Sequence, residues 1–238
     1  MATTTNLLNI ESIANSMYVI RGELSLGKDK NMLEGTGFVV NKNGRFYLVT
    51  ANHIYDSIIA NNQAITISLG GRVTTLSSSN TKLAWVNHSQ ADISAIELNP
   101  PNIVQAKENS IPFDCIYDKE EPVSREKQVF VFGFPLIKEI SFDACVFRSY
   151  FSTGLISTTR FDIVTPNTKF QYLQDPSMTG YSGGPVFIDV TSTTDDEGSP
   201  LTQLVGIVHG TYPKPPETYM AAITPSYYLV ELINSMCP

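Results

Sequence analysis

The chain predicts an all-β protein, and three observations carry that expectation. Short apolar stretches recur along most of its length, many of them alternate or are rich in Val, Ile, Phe and Tyr, and turn-forming residues punctuate them. Many short strands of this kind suit a barrel or a sandwich. With 238 residues, 42% of them hydrophobic and 16% charged, the chain can build one large or two small domains with a sizeable core.

Taken in order, Leu7, Ile10 and Ala14 fall at helical spacing and predict a short amphipathic helix packed on the body. Strands are expected at Met17 to Leu24, Gly37 to Val40 and Phe46 to Thr50, with Asn41-Lys42-Asn43-Gly44 as the hairpin between the last two. Further strands read at Ala64 to Leu69, Arg72 to Leu76, Lys82 to Val86 and Asp92 to Leu98. Asn99-Pro100-Pro101-Asn102 breaks the pattern, and no long apolar run follows before Pro122, so a connection between two halves belongs there. The expected halves are residues 1–115 and 116–238.

The second half repeats the style at Gln128 to Phe134, Cys145 to Phe151, Gly154 to Thr158, Phe170 to Leu173, Pro185 to Val190, Leu204 to His209 and Tyr219 to Ile223. Thr191 to Pro200, with Asp195-Asp196-Glu197, reads as a solvated hairpin loop. After Pro225 a capping serine, Ser226, opens a closing helix to Met236 with Leu229, Leu232 and Ile233 on one face.

Chemistry concentrates at Gly180-Tyr181-Ser182-Gly183-Gly184-Pro185. A serine among glycines ahead of an apolar strand can expose its hydroxyl, and the N–H groups of Gly180 and Ser182 can converge on an oxyanion. Alone, Ser-Gly-Gly-Pro is also an ordinary turn. A serine hydroxyl is a poor nucleophile until a neutral imidazole takes its proton, and that imidazole needs a carboxylate to fix its tautomer. His53, at the exit of the strand ending Thr50-Ala51-Asn52, and Asp92, opening Asp92-Ile93-Ser94-Ala95-Ile96, are the upstream partners, in the order His, Asp, Ser. The same glycines also fit the elbow of an α/β-hydrolase with Asp195 and His209 following. The strand, polar loop and strand between Ser182 and His209 leave no room for that fold's helices.

These three blocks resemble those of trypsin-like (chymotrypsin-fold) serine peptidases. The resemblance implies two antiparallel six-stranded β-barrels with a C-terminal helix, His53 and Asp92 in the first barrel and Ser182 in the second. It implies a serine endopeptidase with a His53, Asp92, Ser182 triad, Gly180 and Ser182 as the oxyanion hole, and no cofactor. The alternative is a catalytically silent peptide-binding module on the same fold. Where secreted animal members carry a disulfide-forming cysteine after the histidine block and an aspartate before the nucleophile, this chain has Ile54 and Tyr181. That implies no activation by a cleaved N-terminus, as in bacterial and intracellular members.

The resemblance also places the substrate side chain before the scissile bond against Pro176 and Ser177, with Val208, His209, Gly210, Thr211 and Met220 to Ala222 as walls. None carries a negative charge, so uncharged side chains are expected there in preference to Arg or Lys; Asp175 is the nearest acid. His209 ends a strand that in the resembling family lines the substrate cleft beside the catalytic aspartate, which makes it the candidate to hydrogen-bond Asp92 or to touch substrate. His88, in Asn87-His88-Ser89-Gln90, reads as an exposed turn residue.

A net charge of −7 argues against nucleic acid or an anionic membrane as the main partner and leaves a polypeptide substrate. The N-terminus lacks a signal-peptide pattern and no apolar run is long enough to span a bilayer. Cys115, Cys145 and Cys237 are odd in number and lack metal-ligand spacing, which fits a reducing, cytoplasmic compartment.

Overall fold

Strands such as Phe38-Val39-Val40 are apolar without alternation because they are buried on both faces. Phe38 and Val40 point into one buried cluster with Met17, Val19, Tyr47 and Val49, while Val39 points into another with Tyr18, Ile20, Phe46 and Leu48. A computed structural model gives the arrangement, and describes residues 8–26, 29–59, 65–69, 72–76, 85–98, 109–135, 144–157, 168–188, 202–214 and 218–237. Expectations at Leu7, Ala64, Lys82, Asn99 to Asn102, Thr158, Val190 and Thr191 to Pro200 lie outside those residues.

The first sheet contains β1 (Met17–Leu26), β2 (Asp29–Lys42), β3 (Arg45–Thr50), β4 (Ile65–Leu69), β5 (Arg72–Leu76), β6 (Val86–Asn87), β7 (Ser94–Glu97) and β8 (Ile111–Pro112). Its order is β5-β4-β1-β2-β3-β7-β6, antiparallel throughout, with β8 added parallel to β2. The expected hairpin joins β2 to β3: Lys42 faces Arg45, and Asn43 and Gly44 both take positive φ, 54° and 79°. That pair of angles suits the twist of a two-residue hairpin.

The second sheet contains β9 (Gln128–Gly133), β10 (Cys145–Tyr150), β11 (Ile156–Ser157), β12 (Lys169–Tyr172), β13 (Pro185–Ile188), β14 (Gln203–Lys214) and β15 (Thr218–Pro225), in the order β10-β9-β13-β14-β15-β12-β11. Leaving aside the two-residue strands β6, β8 and β11, each sheet has six strands; β6 overlaps the expected strand ending at Val86, β11 lies within the expected Gly154 to Thr158, and β8 was too short to read in the sequence. An isolated antiparallel bridge, Phe151 to Leu173, joins the ends of β10 and β12, the first and last of the second six. Val129, Val131, Val186, Ile188 and Val205 fill this sheet's inner cluster. Phe132, Phe187, Leu204 and Ile207 point the other way and pack with the first sheet's Phe38 and Val49.

Three helices close the described structure: α1 (Ile10–Asn15), α2 (Asn52–Ile59) and α3 (Tyr227–Met236). The buried side chains here are Leu8, just ahead of α1, and Ile13 within it, while the expected Ile10 is exposed. Asn9 and Ser12 cap each other reciprocally and set that phase. In α3, Leu229, Leu232 and Ile233 are buried as expected. Ser226 does not cap it; its hydroxyl donates to the Tyr117 carbonyl at 2.6 Å and ties the helix to the connecting segment.

Candidate active site

His53 was expected at a strand's exit. The strand stops at Thr50, and His53 stands in the first turn of α2. The N–H groups of a first helical turn have no partner within the helix. That of His53 donates to Asp92 Oδ1 at 2.8 Å, and the ring Nδ1 of the same residue lies 2.7 Å from Asp92 Oδ2. One carboxylate therefore fixes both the backbone and the ring of His53.

Asp92 precedes β7 in a tight turn that His88 organises. The Nδ1 of His88 accepts the N–H groups of Gln90 at 3.1 Å and Ala91 at 3.0 Å, so Nε2 carries the proton and donates to Glu231 of α3 at 3.0 Å. Its ring also meets Tyr228 edge-on, and its side chain is 8% exposed. The expectation of an exposed His88 is thus corrected: it clamps the turn that presents Asp92 to the closing helix.

The Asp92 carboxylate is fully buried. Burial alone would raise its pKa, but hydrogen bonds from His209 and His53, and the attraction of those rings, hold it well below the usual carboxylate range. His209 Nδ1 sits 2.5 Å from the same Oδ2 that His53 uses. The ring of His209 is edge-on to His53, with centroids 5.5 Å apart, and only 6% of the residue is exposed. Of its two expected roles the contact with Asp92 is present, and its side chain is buried.

Ser182 follows β12 on a loop pinned to the first sheet through Thr36, a residue the sequence reading passed over. Thr36 N–H donates to the Ser182 carbonyl at 2.8 Å, and its hydroxyl donates to the Gly180 carbonyl at 2.7 Å while accepting Phe134 N–H at 3.0 Å. The available signal was a polar side chain between two glycines, Gly35-Thr36-Gly37, directly ahead of the apolar run Phe38-Val39-Val40. Gly183 has φ 85°, and a Cβ there would lie 2.2 Å from the Thr36 carbonyl oxygen, so this approach admits only glycine. Tyr181 turns the other way, into the inner cluster of the second sheet, where Gly133 leaves room for its ring.

The loop leaves two donors unspent. Gly180 has φ 97°, and neither its N–H nor that of Ser182 makes a hydrogen bond among the described residues. The Ser182 hydroxyl donates to the carbonyl oxygen of His209 at 3.2 Å, and no bond from it to His53 is present among the described residues. His53, Asp92 and His209 therefore converge directly, and Ser182 joins them through the backbone of His209. The three side chains also form a set able to hold a metal. Their 2.5 and 2.7 Å separations are hydrogen-bond lengths, shorter than the roughly 3.3 Å between neighbouring ligands of a tetrahedral zinc.

Near the expected substrate pocket, Ser177 Oγ and Thr211 Oγ1 are 2.8 Å apart, and Thr211 also bonds the Ser177 carbonyl at 2.7 Å, which joins floor to wall. A Cβ on Gly210 would meet nothing within 4 Å, so space is open beside it. The Asp175 carboxylate accepts a hydrogen bond from the buried Ser149 at 2.7 Å.

The model of the trypsin-like peptidase domain matches residues 35–192, a span that contains His53, Asp92 and Ser182. The chain belongs to that family. Its fold is similar to that of the Rv3671c protease from M. tuberculosis in its active form, with a TM-score of 0.65 and 14% identity over 100% of this chain and 93% of that one. The inactive form of the same protease gives 0.58 at 17% identity, over 96% and 92%. The serine endoprotease from Yersinia pestis gives 0.56 at 15%, over 95% of this chain and 64% of that one. At such identities the likeness is one of fold. No curated protein sequence matches. His209 lies beyond the matched span of this trypsin-like domain, so the histidine nearest the centre after His53 is not part of what the family match covers.

Proposed function

We propose that the protein is a serine endopeptidase that hydrolyses polypeptides by acyl transfer through Ser182, His53 and Asp92. The observation that carries this reading is the Asp92 carboxylate, buried and accepting both the ring and the backbone N–H of His53. A carboxylate accepts only, so His53 presents Nδ1–H to it and keeps the Nε2 lone pair as a base. Turning the Ser182 hydroxyl about χ1, away from the His209 carbonyl and toward His53, starts the reaction. Oγ attacks the substrate carbonyl carbon as Nε2 takes the hydroxyl proton, and the oxyanion settles on the Gly180 and Ser182 N–H groups. The proton then passes to the leaving amine, and water hydrolyses the acyl-serine by the same route in reverse.

In this reading the two sheets are the two barrels of the fold, with residues 1–115 and 116–238 as its halves. The buried Tyr181 replaces an acid that would bind a new N-terminus, so no cleavage is needed for activity. The pocket of Ser177, Val208, Gly210 and Thr211 is uncharged, and the one nearby acid, Asp175, is engaged with Ser149. Incubation with a mixed peptide library, analysed by mass spectrometry, is expected to show cleavage after small or medium uncharged residues. Dominant cleavage after Arg or Lys would overturn the pocket assignment and implicate Asp175. No cleavage at all would favour the second reading, a silent peptide-binding module, which the resting bond from Ser182 to His209 supports.

A reducing, cytoplasmic compartment remains part of the proposal. What supports it is that Cys115, Cys145 and Cys237 are free thiols. Titration of the denatured, unreduced protein is expected to find all three thiols; recovery of one would mean a disulfide and overturn the compartment.

A further inference from the structure

Asp92 serves two imidazoles, and acyl transfer uses only one. We propose that His209 is a positioning residue that fixes the Asp92 carboxylate and shares its charge with His53. In its kinetics the inference rests on the peptidase reading; in its geometry it stands alone.

The backbone supplies the means. Val208 pairs with Ile223 and Gly210 with Ala222, so the register between β14 and β15 shifts at His209. A bulge re-aims the side chain of the extra residue. Here it sends the ring to Asp92 and the carbonyl to the Ser182 hydroxyl, so a single residue touches both ends of the reacting group. Phe170 of β12 backs the ring, with centroids 5.1 Å apart.

Because Oδ2 can only accept, both rings donate Nδ1–H to it, and the carboxylate cannot swing away from His53 without also losing His209.

The test compares His209→Ala with His209→Asn, whose side-chain N–H lies where the imidazole Nδ1–H does but does not ionise. For a peptide substrate, the alanine variant is expected to lose about 10–100-fold in kcat with little change in KM, and the asparagine variant to recover most of that loss. Full activity in the alanine variant or no rescue by asparagine would each overturn the proposal. Proton NMR supplies a readout independent of turnover: a downfield imidazole N–H signal, separate from those of His53 and His88, that is present in the native protein and lost in His209→Asn. That signal in a protein without peptidase activity would overturn the peptidase reading and leave His209 in place; its absence from an active native enzyme would overturn His209 alone.

Discussion

Replacing Ser182 with alanine is expected to lower kcat for peptide hydrolysis by about a millionfold, with the fold retained. The magnitude follows from the way nucleophile, base and carboxylate act as a unit: without Oγ, neither His53 nor Asp92 has a proton to move. What remains is the oxyanion site formed by the Gly180 and Ser182 N–H groups, which the substitution leaves in place. The structural cost is small, because the hydroxyl makes one bond, to the His209 carbonyl at 3.2 Å. A bond of this kind contributes about 1 kcal/mol. Initial rates set beside thermal melts of the two proteins check both halves. Retained turnover would point to another nucleophile, and an unfolded variant would mean that the loop depends on the hydroxyl.

Replacing Asp92 with asparagine is expected to damage catalysis and stability together. The amide oxygen can still accept the His53 backbone N–H, but the amide nitrogen then faces two imidazole N–H groups that had a carboxylate oxygen between them. Neither ring can keep its Nδ1–H bond, so each must change tautomer or turn away. When His53 changes tautomer, the Nε2 lone pair is lost, and in the Ser-His-Asp template that change lowers kcat about 10⁴-fold. Removing one member of a buried charge-assisted network costs about 3–5 kcal/mol.

The pH dependence has a definite sign. The folded-state pKa of Asp92 lies below its ordinary value, so its stabilisation is fully present above that ordinary value, about pH 4, and drains away as the pH falls toward the depressed one. Native protein and Asp92→Asn should therefore differ most in denaturation midpoint near neutrality and converge below about pH 4. A constant difference across that range would mean that the Asp92 charge does not stabilise the fold.

Much of this site is legible in the sequence because the residues that do chemistry sit in local patterns. The Gly180 to Pro185 run announces a tight turn, His53 closes an apolar strand, and Asp92 opens another. What the sequence hides is of two kinds. The first is contact across the fold: Thr36 reaches Gly180 and Ser182 from 144 residues away in one bond, and no periodicity marks it beyond a polar residue between glycines. His88 looks like a surface turn residue because its partner, Glu231, lies 143 residues downstream. The second is register. The bulge at His209 leaves no mark in Leu204 to Gly210, which reads as an uninterrupted strand and so left contact with Asp92 and contact with substrate both open. Helix α2 was missed for a third reason: Asn52 to Ile59 is short and its start is capped by Asp92, a residue outside the segment.

The central claim is that Ser182 is a nucleophile activated by His53 on the buried Asp92. Its most direct measurement is reaction of the native protein with a fluorophosphonate, followed by peptide mapping in a mass spectrometer. The account predicts one phosphonyl adduct, on Ser182, formed rapidly in the native protein and lost when His53 is replaced with alanine. An unlabelled native protein, or an adduct on a different residue, would contradict it.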